Sequence, residues 1–245
     1  MRLFDEQIRQ ALYLPDARAL KSFGYHPERA APETDPNELV LKRDMAFELG
    51  EGSFPAVGFT AITQDKALLP EDGVFLWGPD LHEIKEDGPF ARITIVRTDD
   101  IYEKGDQAAY NLITNLETEK FRIAPAGYMM RPAAMSNREQ VRVSRKAIQD
   151  GLRFSHVGNL MIQKYHQNRH VRAVSVLFIT QPDQLYRSLD QLATRVSEIA
   201  KTLNHALLEV SMNCRACEWK PVCDTVDGIK ALHQEQIRQK EETMR

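Results

Sequence analysis

Ala173-Val-Ser-Val-Leu-Phe-Ile-Thr180 is the stretch that decides the fold class. It is apolar at nearly every position and rich in β-branched and aromatic residues, so it predicts a strand. Gln181-Pro182-Asp183 then opens a long helix. Leu185, Leu189, Leu192, Val196, Ile199, Leu203 and Leu207 recur at three- and four-residue steps and give that helix one apolar stripe. A strand feeding a long amphipathic helix is a unit of an α/β or α+β body, a mixed sheet with packed helices.

Working outward, the alternation in Arg92-Ile-Thr-Ile-Val-Arg97 predicts a second strand. Ala56-Val-Gly-Phe-Thr-Ala-Ile-Thr63 and Val74-Phe-Leu-Trp77, ended by Gly78-Pro79, predict two more. Helical patterns cover residues 3–12, 104–119 and 156–167. Ser136 and Glu139 stand at capping-box spacing and suggest a helix over 136–150, although Val141-Arg-Val143 inside it favours a strand. Residues 39–49 fit either a strand or a short helix. Residues 26–38 and 129–136 look like loops. Asp224 is placed to cap a last helix through about residue 240, with a charged tail over 238–245 expected to fray. Strands and helices alternate, with no internal repeat.

The 245 residues are 42% hydrophobic and 27% charged, which is ordinary globular usage. A net charge of −3 gives no global argument for nucleic acid or a membrane surface. No apolar run approaches the roughly 20 residues that span a bilayer. The mixed-charge start Met1-Arg-Leu-Phe-Asp-Glu-Gln-Ile-Arg-Gln10 lacks the apolar core of a signal peptide. The expectation is a cytoplasmic protein with no membrane partner.

The only three cysteines lie together in Cys214-Arg-Ala-Cys-Glu-Trp-Lys-Pro-Val-Cys223. Cys-x2-Cys-x5-Cys spacing can bring thiolates to one centre, and soft thiolates suit zinc or an iron–sulfur cluster. Clustering in a reducing compartment argues against a disulfide scaffold. The reading is an α/β body over 1–210 and a metal module with a C-terminal helix over 211–245. Trp219, between the cysteines, would shield the centre from water.

Three collinear stretches resemble the beta subunit of the CO dehydrogenase/acetyl-CoA synthase complex. The first is Gly78-Pro79-Asp80-Leu-His-Glu-Ile84. The second is Val141-Arg-Val-Ser-Arg-Lys-Ala147 followed by Gly151-Leu-Arg-Phe-Ser-His-Val-Gly158. The third is the strand, long helix and cysteine order from 173 to 223. The resemblance implies the family's middle domain, a four-iron cluster, CO dehydrogenase or corrinoid protein subunits as partners, and acetyl-CoA synthase-type chemistry. The chain departs from the family in three respects. The second cysteine gap is five rather than eight, the fourth cysteine is absent, and the nickel-binding Cys-Gly-Cys is missing. His233 stands at the family's last spacing after Cys223 and is the candidate fourth ligand, against a reading as an ordinary helix residue. Without further thiolates the chain is expected to act as an accessory or as a subunit completed by another polypeptide. Two alternatives remain: a zinc-stabilised binding module, and a cluster-bearing nucleic-acid enzyme. RecB-like nucleases share the cysteine spacing, but their upstream fourth cysteine and their Asp…Glu-x-Lys set are not found here.

Residues 138–172 carry eight basic residues against two acidic ones. Arg138, Arg142, Arg145 and Lys146 can present an anion site. The resemblance implies a CoA phosphate as its ligand; the alternatives are a solvated basic face or a docking surface for an acidic partner. His166 and His170 have the spacing of a helical metal pair, but Arg169 and Arg172 beside them favour a loop.

Overall fold

The computed structural model describes the chain apart from residues 1, 15–18, 51–55, 101–105, 134–137, 182–184, 209–213, 215–216, 227 and 244–245. In chain order the elements are α1 (Asp5–Tyr13), β1 (Leu20–Gly24), a 3-10 turn (Pro27–Arg29), β2 (Met45–Leu49), β3 (Ala56–Thr63), β4 (Gly73–Trp77) and β5 (Ala91–Thr98). They continue with α2 (Asp106–Glu119), β6 (Tyr128–Pro132), β7 (Arg138–Ser144), α3 (Arg145–Gln149) and α4 (Phe154–Tyr165). The last are β8 (Val171–Ile179), α5 (Tyr186–Leu208), α6 (Lys220–Thr225) and α7 (Ile229–Thr243).

The strands form one mixed sheet in the order β1-β4-β8-β5-β3-β7-β2, with β6 added beside β7. The pairs β3–β5 and β4–β8 are parallel, and the others are antiparallel. Helices cover both faces. Thr60 meets Tyr165 of α4 on one face, whereas Thr63, pointing the other way, donates to Asp5 of α1 at 2.8 Å. α5 packs with α1 and α2 and lies against β3. Strands enclosed in this way lose the polar alternation of a one-sided sheet. β3 is buried at every position, and β5 and β8 at nearly every one. The predicted α/β class with a mixed sheet and packed helices is what the chain forms. The last two helices pack on α5, and Val222, Val226, Ile229 and Leu232 join the main core cluster.

The β3–β5–β7 junction on the α4 face is polar and fully enclosed. Gly58 is opposite Arg92, and Ala56 is opposite Glu139, so all four residues point to one side. Arg92 and Lys120 both donate to Glu139 Oε1, Lys120 from 2.9 Å. Lys120 also reaches the Gly58 carbonyl at 3.4 Å, beyond the short stretch where β7 pairs with β3. A Cβ on Gly58 would overlap the Glu139 carboxylate, so this position requires glycine. Burial alone would raise the Glu139 carboxyl, but Arg92 and Lys120 outweigh it and hold the group below its usual range.

Some local expectations change. Residues 138–144 form a strand, and the helix starts only at Arg145. Glu139 is not a helix-cap partner, because the core claims its carboxylate; Ser144 caps α3 instead, accepting from the Ala147 N–H. Residues 129–132 of the expected loop at 129–136 belong to β6. Asp224 lies inside α6 rather than capping the last helix, and it pairs with Lys220 and Lys230. α7 runs on through Thr243, past the point where fraying was expected. Residues 39–49 contain β2, and β1 had no sequence forecast. Ser136 and the helix-opening Pro182-Asp183 lie outside the described residues.

Glu139→Gln removes the anion that two buried cations share. It should cost about 3–5 kcal/mol of unfolding free energy, the usual penalty for breaking a buried pair. Because the folded carboxyl is held low, its stabilisation is complete above the unfolded pKa of about 4.3 and is lost as pH falls through the lower folded value. Urea melts between pH 7 and pH 3 should show this acid loss in the native protein and a flatter profile in Glu139→Gln.

Candidate functional site

The stretches that carry the resemblance are neighbours in space. Gly78-Pro79-Asp80 leaves the end of β4, and the Asp80 carboxylate accepts the Phe154 N–H at 3.0 Å and the Leu81 N–H at 2.7 Å. Phe154 is the first residue of α4, whose N-cap residue, Arg153, makes no side-chain cap. Asp80 therefore caps the helix from another part of the chain. Glu83 accepts the Asp80 N–H at 2.6 Å and closes the turn. Further along α4, Gly158 lies so close to β4 that a Cβ would overlap the Val74 side chain.

The four residues of the basic block sit on β7 and α3. Arg138 and Arg142 share one face of β7. Arg138 pairs with Asp190 at 2.7 Å and lies over the Tyr186 ring, while Arg142 pairs with Glu48 at 2.7 Å. Arg145 donates to the Met45 carbonyl, and Lys146 is exposed. Two of the four charges are thus matched by the protein's own carboxylates. An open cleft of about 870 Å³ lies elsewhere, between α1 and α5, and is lined by Arg9, Tyr13, Gln191 and Arg195 among others. None of the basic-block residues lines it.

His166 and His170 lie in the turn between α4 and β8, the loop reading of that pair. His166 Nε2 is 2.9 Å from both Asp72 oxygens, and Asp72 also accepts the Val174 N–H at 2.7 Å. This network ties the turn to β8.

The three cysteines are partly exposed beyond the end of α5. Cys217 Sγ is 3.5 Å from Nε2 of His205, in the last turn of α5. The His205 ring meets the His233 ring edge-on, with centroids 6.2 Å apart and planes at 70°. His233 itself is buried on α7. Burial first, then the charges of Cys217 and Cys214, push the Cys223 thiol up. Lys230 is raised by its ion pair with Asp224, and the charges of Cys214 and Cys223 add to the effect. Trp219 is half-buried against the core. Thiols and imidazoles are the donor types that suit a soft metal. As the side chains stand, no group of three or more His, Cys, Asp or Glu among the described residues forms a metal-holding set. Sequence reasoning singled out the cysteines and His233 but missed His205, which reads as one more polar position on an amphipathic helix.

Among the described residues no helix is long and apolar enough to cross a membrane. The sequence profile of the CO dehydrogenase/acetyl-CoA synthase complex beta subunit family matches residues 34–185, more than half of the chain. Both resembling turns and the basic block lie inside the match, and the cysteine corner lies outside it. No curated protein matches the chain.

Asp80→Ala should destabilise the protein by roughly 1–3 kcal/mol, because it leaves the buried Phe154 N–H without an acceptor. Asp80→Asn keeps one acceptor oxygen and should cost less. Urea unfolding of the two variants beside the native chain measures both.

Proposed function

The chain belongs to the CO dehydrogenase/acetyl-CoA synthase complex beta subunit family, and on that premise we propose that it is a metal-bearing accessory subunit in one-carbon and acetyl-CoA metabolism. What supports the reading is that all three of its cysteines fall within residues 214–223, with Cys217 Sγ 3.5 Å from His205 Nε2. Cys214, Cys217 and Cys223 would hold one soft metal centre, iron–sulfur or zinc. His205 and His233 are the imidazoles beside them. Such a centre supplies a redox-active or a structural cross-link according to the metal it takes.

If all three cysteines serve that one centre, no thiolate is left among these 245 residues for a nickel pair, and carboxylates are too hard to replace it. The reaction would then need a second polypeptide, with CO dehydrogenase or corrinoid protein subunits as the natural partners. A reducing cytoplasm would keep the thiols available. The 245-residue chain, reconstituted anaerobically with iron, sulfide and nickel, should form no acetyl-CoA from CO, methyl-corrinoid and CoA. Product in that mixture overturns the accessory reading. Product only after addition of a partner subunit supports it.

CoA is the ligand proposed for the basic block. Because Arg138 and Arg142 already carry ion pairs, Arg145 and Lys146 would make first contact with a phosphate. Binding should be weak, and it should fade with salt as screening shortens the Debye length to about 8 Å at physiological ionic strength. Glu48→Gln, which releases Arg142, should tighten it. Calorimetric titration at low and physiological salt decides, and no heat from the native chain or the variant at millimolar CoA removes the proposal.

A further inference from the structure

The open cleft between α1 and α5 takes no part in the metal or basic-block readings, and both of its walls lie outside the family match. Its volume of about 870 Å³ falls within the roughly 300–1,000 Å³ of small-molecule sites. On the α1 wall Gln7 is only 8% exposed, and its Oε1 is shut off from water with no hydrogen-bond partner among the described residues. Buried side-chain acceptors are nearly always matched, so this one calls for a donor. The last torsion of a glutamine is soft, and the carboxamide can turn toward the cleft that Gln7 lines. Tyr13 lines the same cleft and is 86% exposed, so its ring is free to take a second flat group. On the α5 wall Arg195 is fixed from two sides, donating to Glu198 at 3.2 Å and to Thr225 of α6. Buried Leu192, one turn before it, adds an apolar patch.

We propose that this cleft binds a purine nucleoside monophosphate whose base carries an exocyclic amino group. A glutamine carboxamide matches the edge of such a base with two bonds: its oxygen accepts from the amino group, and its nitrogen donates to the neighbouring ring nitrogen. Gln7 would supply both, and the pairing would satisfy its unmatched Oε1. The base would stack on Tyr13, as bases do on exposed aromatic rings. Arg195 spends two of its five N–H donors on Glu198 and Thr225, which leaves donors for a phosphate. Arg9, on the α1 wall, is the second guanidinium.

The lining also says what fits less well. Glutamines and arginines interrupt the few apolar positions, so a lipid tail has no continuous surface to cover. A neutral sugar would leave both guanidiniums unused. Arg9 lies 3.9 Å from Glu6 and Arg195 is paired with Glu198, so net charge adds little and the specificity rests on hydrogen bonds and stacking. The site is independent of the metal reading, and neither stands or falls with the other.

The test is calorimetric titration of the full 245-residue chain with adenosine monophosphate, inosine monophosphate and inorganic phosphate. Adenosine monophosphate should bind at one per chain. Inosine monophosphate, with a carbonyl oxygen in place of the amino group, should bind at least about tenfold more weakly. Phosphate alone should give no heat at the same concentrations. Tyr13→Ala changes an exposed side chain and should weaken adenosine monophosphate by about tenfold or more. Gln7→Leu, its fold checked by circular dichroism, should bind the two nucleotides about equally. Absence of adenosine monophosphate binding by the native chain at millimolar concentration overturns the proposal. So does equal affinity of the native chain for both nucleotides, or native affinity in Tyr13→Ala. Loss of binding in Lys146→Ala with none in Tyr13→Ala moves the nucleotide to the basic block and removes it from the cleft.

Discussion

One carboxylate, that of Glu139, holds together the part of the sheet where pairing is most divided. β7 touches β3 for only two residues before it continues along β2, and β6 lies on its other side. At that fork Glu139 takes Arg92 from β5 and Lys120 from beyond α2, all three side chains being shut off from water. Lys120 also satisfies a β3 carbonyl past the fork. Three separate stretches of chain are therefore fixed to one another by charge where backbone pairing alone is thin. A buried group of this kind contributes more to specificity than to net stability, since desolvation opposes most of its attraction. Its geometry tolerates no side chain at residue 58.

The residues that mark the family are mostly spent on the frame. Asp80 caps α4, Ser144 caps α3, Arg142 pairs with Glu48, and Gly158 lets α4 approach β4. Their side chains bind other parts of the same protein. The cysteines, His205 and His233 lie beyond the matched segment, from the end of α5 to α7. The chain thus keeps a family scaffold and carries a cysteine arrangement whose spacing is its own.

Burial decides how much could be read from the residues. β3, β5 and β8 were legible because enclosure on both faces demands unbroken apolar runs. β1 was illegible for the opposite reason: it is an edge strand with no fully buried position, so its composition resembles a loop. β7 was misread through Glu139, since an acidic residue three places after a serine is taken for a surface cap and local sequence carries no sign of a buried guanidinium partner. In the corner, the cysteines announced themselves by clustering. His205 did not, because a lone histidine twelve residues before Cys217 acquires meaning only when the helix end is seen beside that sulfur.

The sheet order also sets a timetable. β8 lies between β4 and β5, yet it is the last strand to be made, and its residues 171–179 come after both partners and every other strand of the sheet. Until they arrive, β4 and β5 each present an unpaired edge. Closure of the sheet depends on contacts between distant positions, such as Val74 with Val176 and Ile93 with Leu177. Non-local pairing of this kind is slow, and open apolar edges invite association with other chains. On a ribosome the centre of this protein would stay open until its final strand emerged.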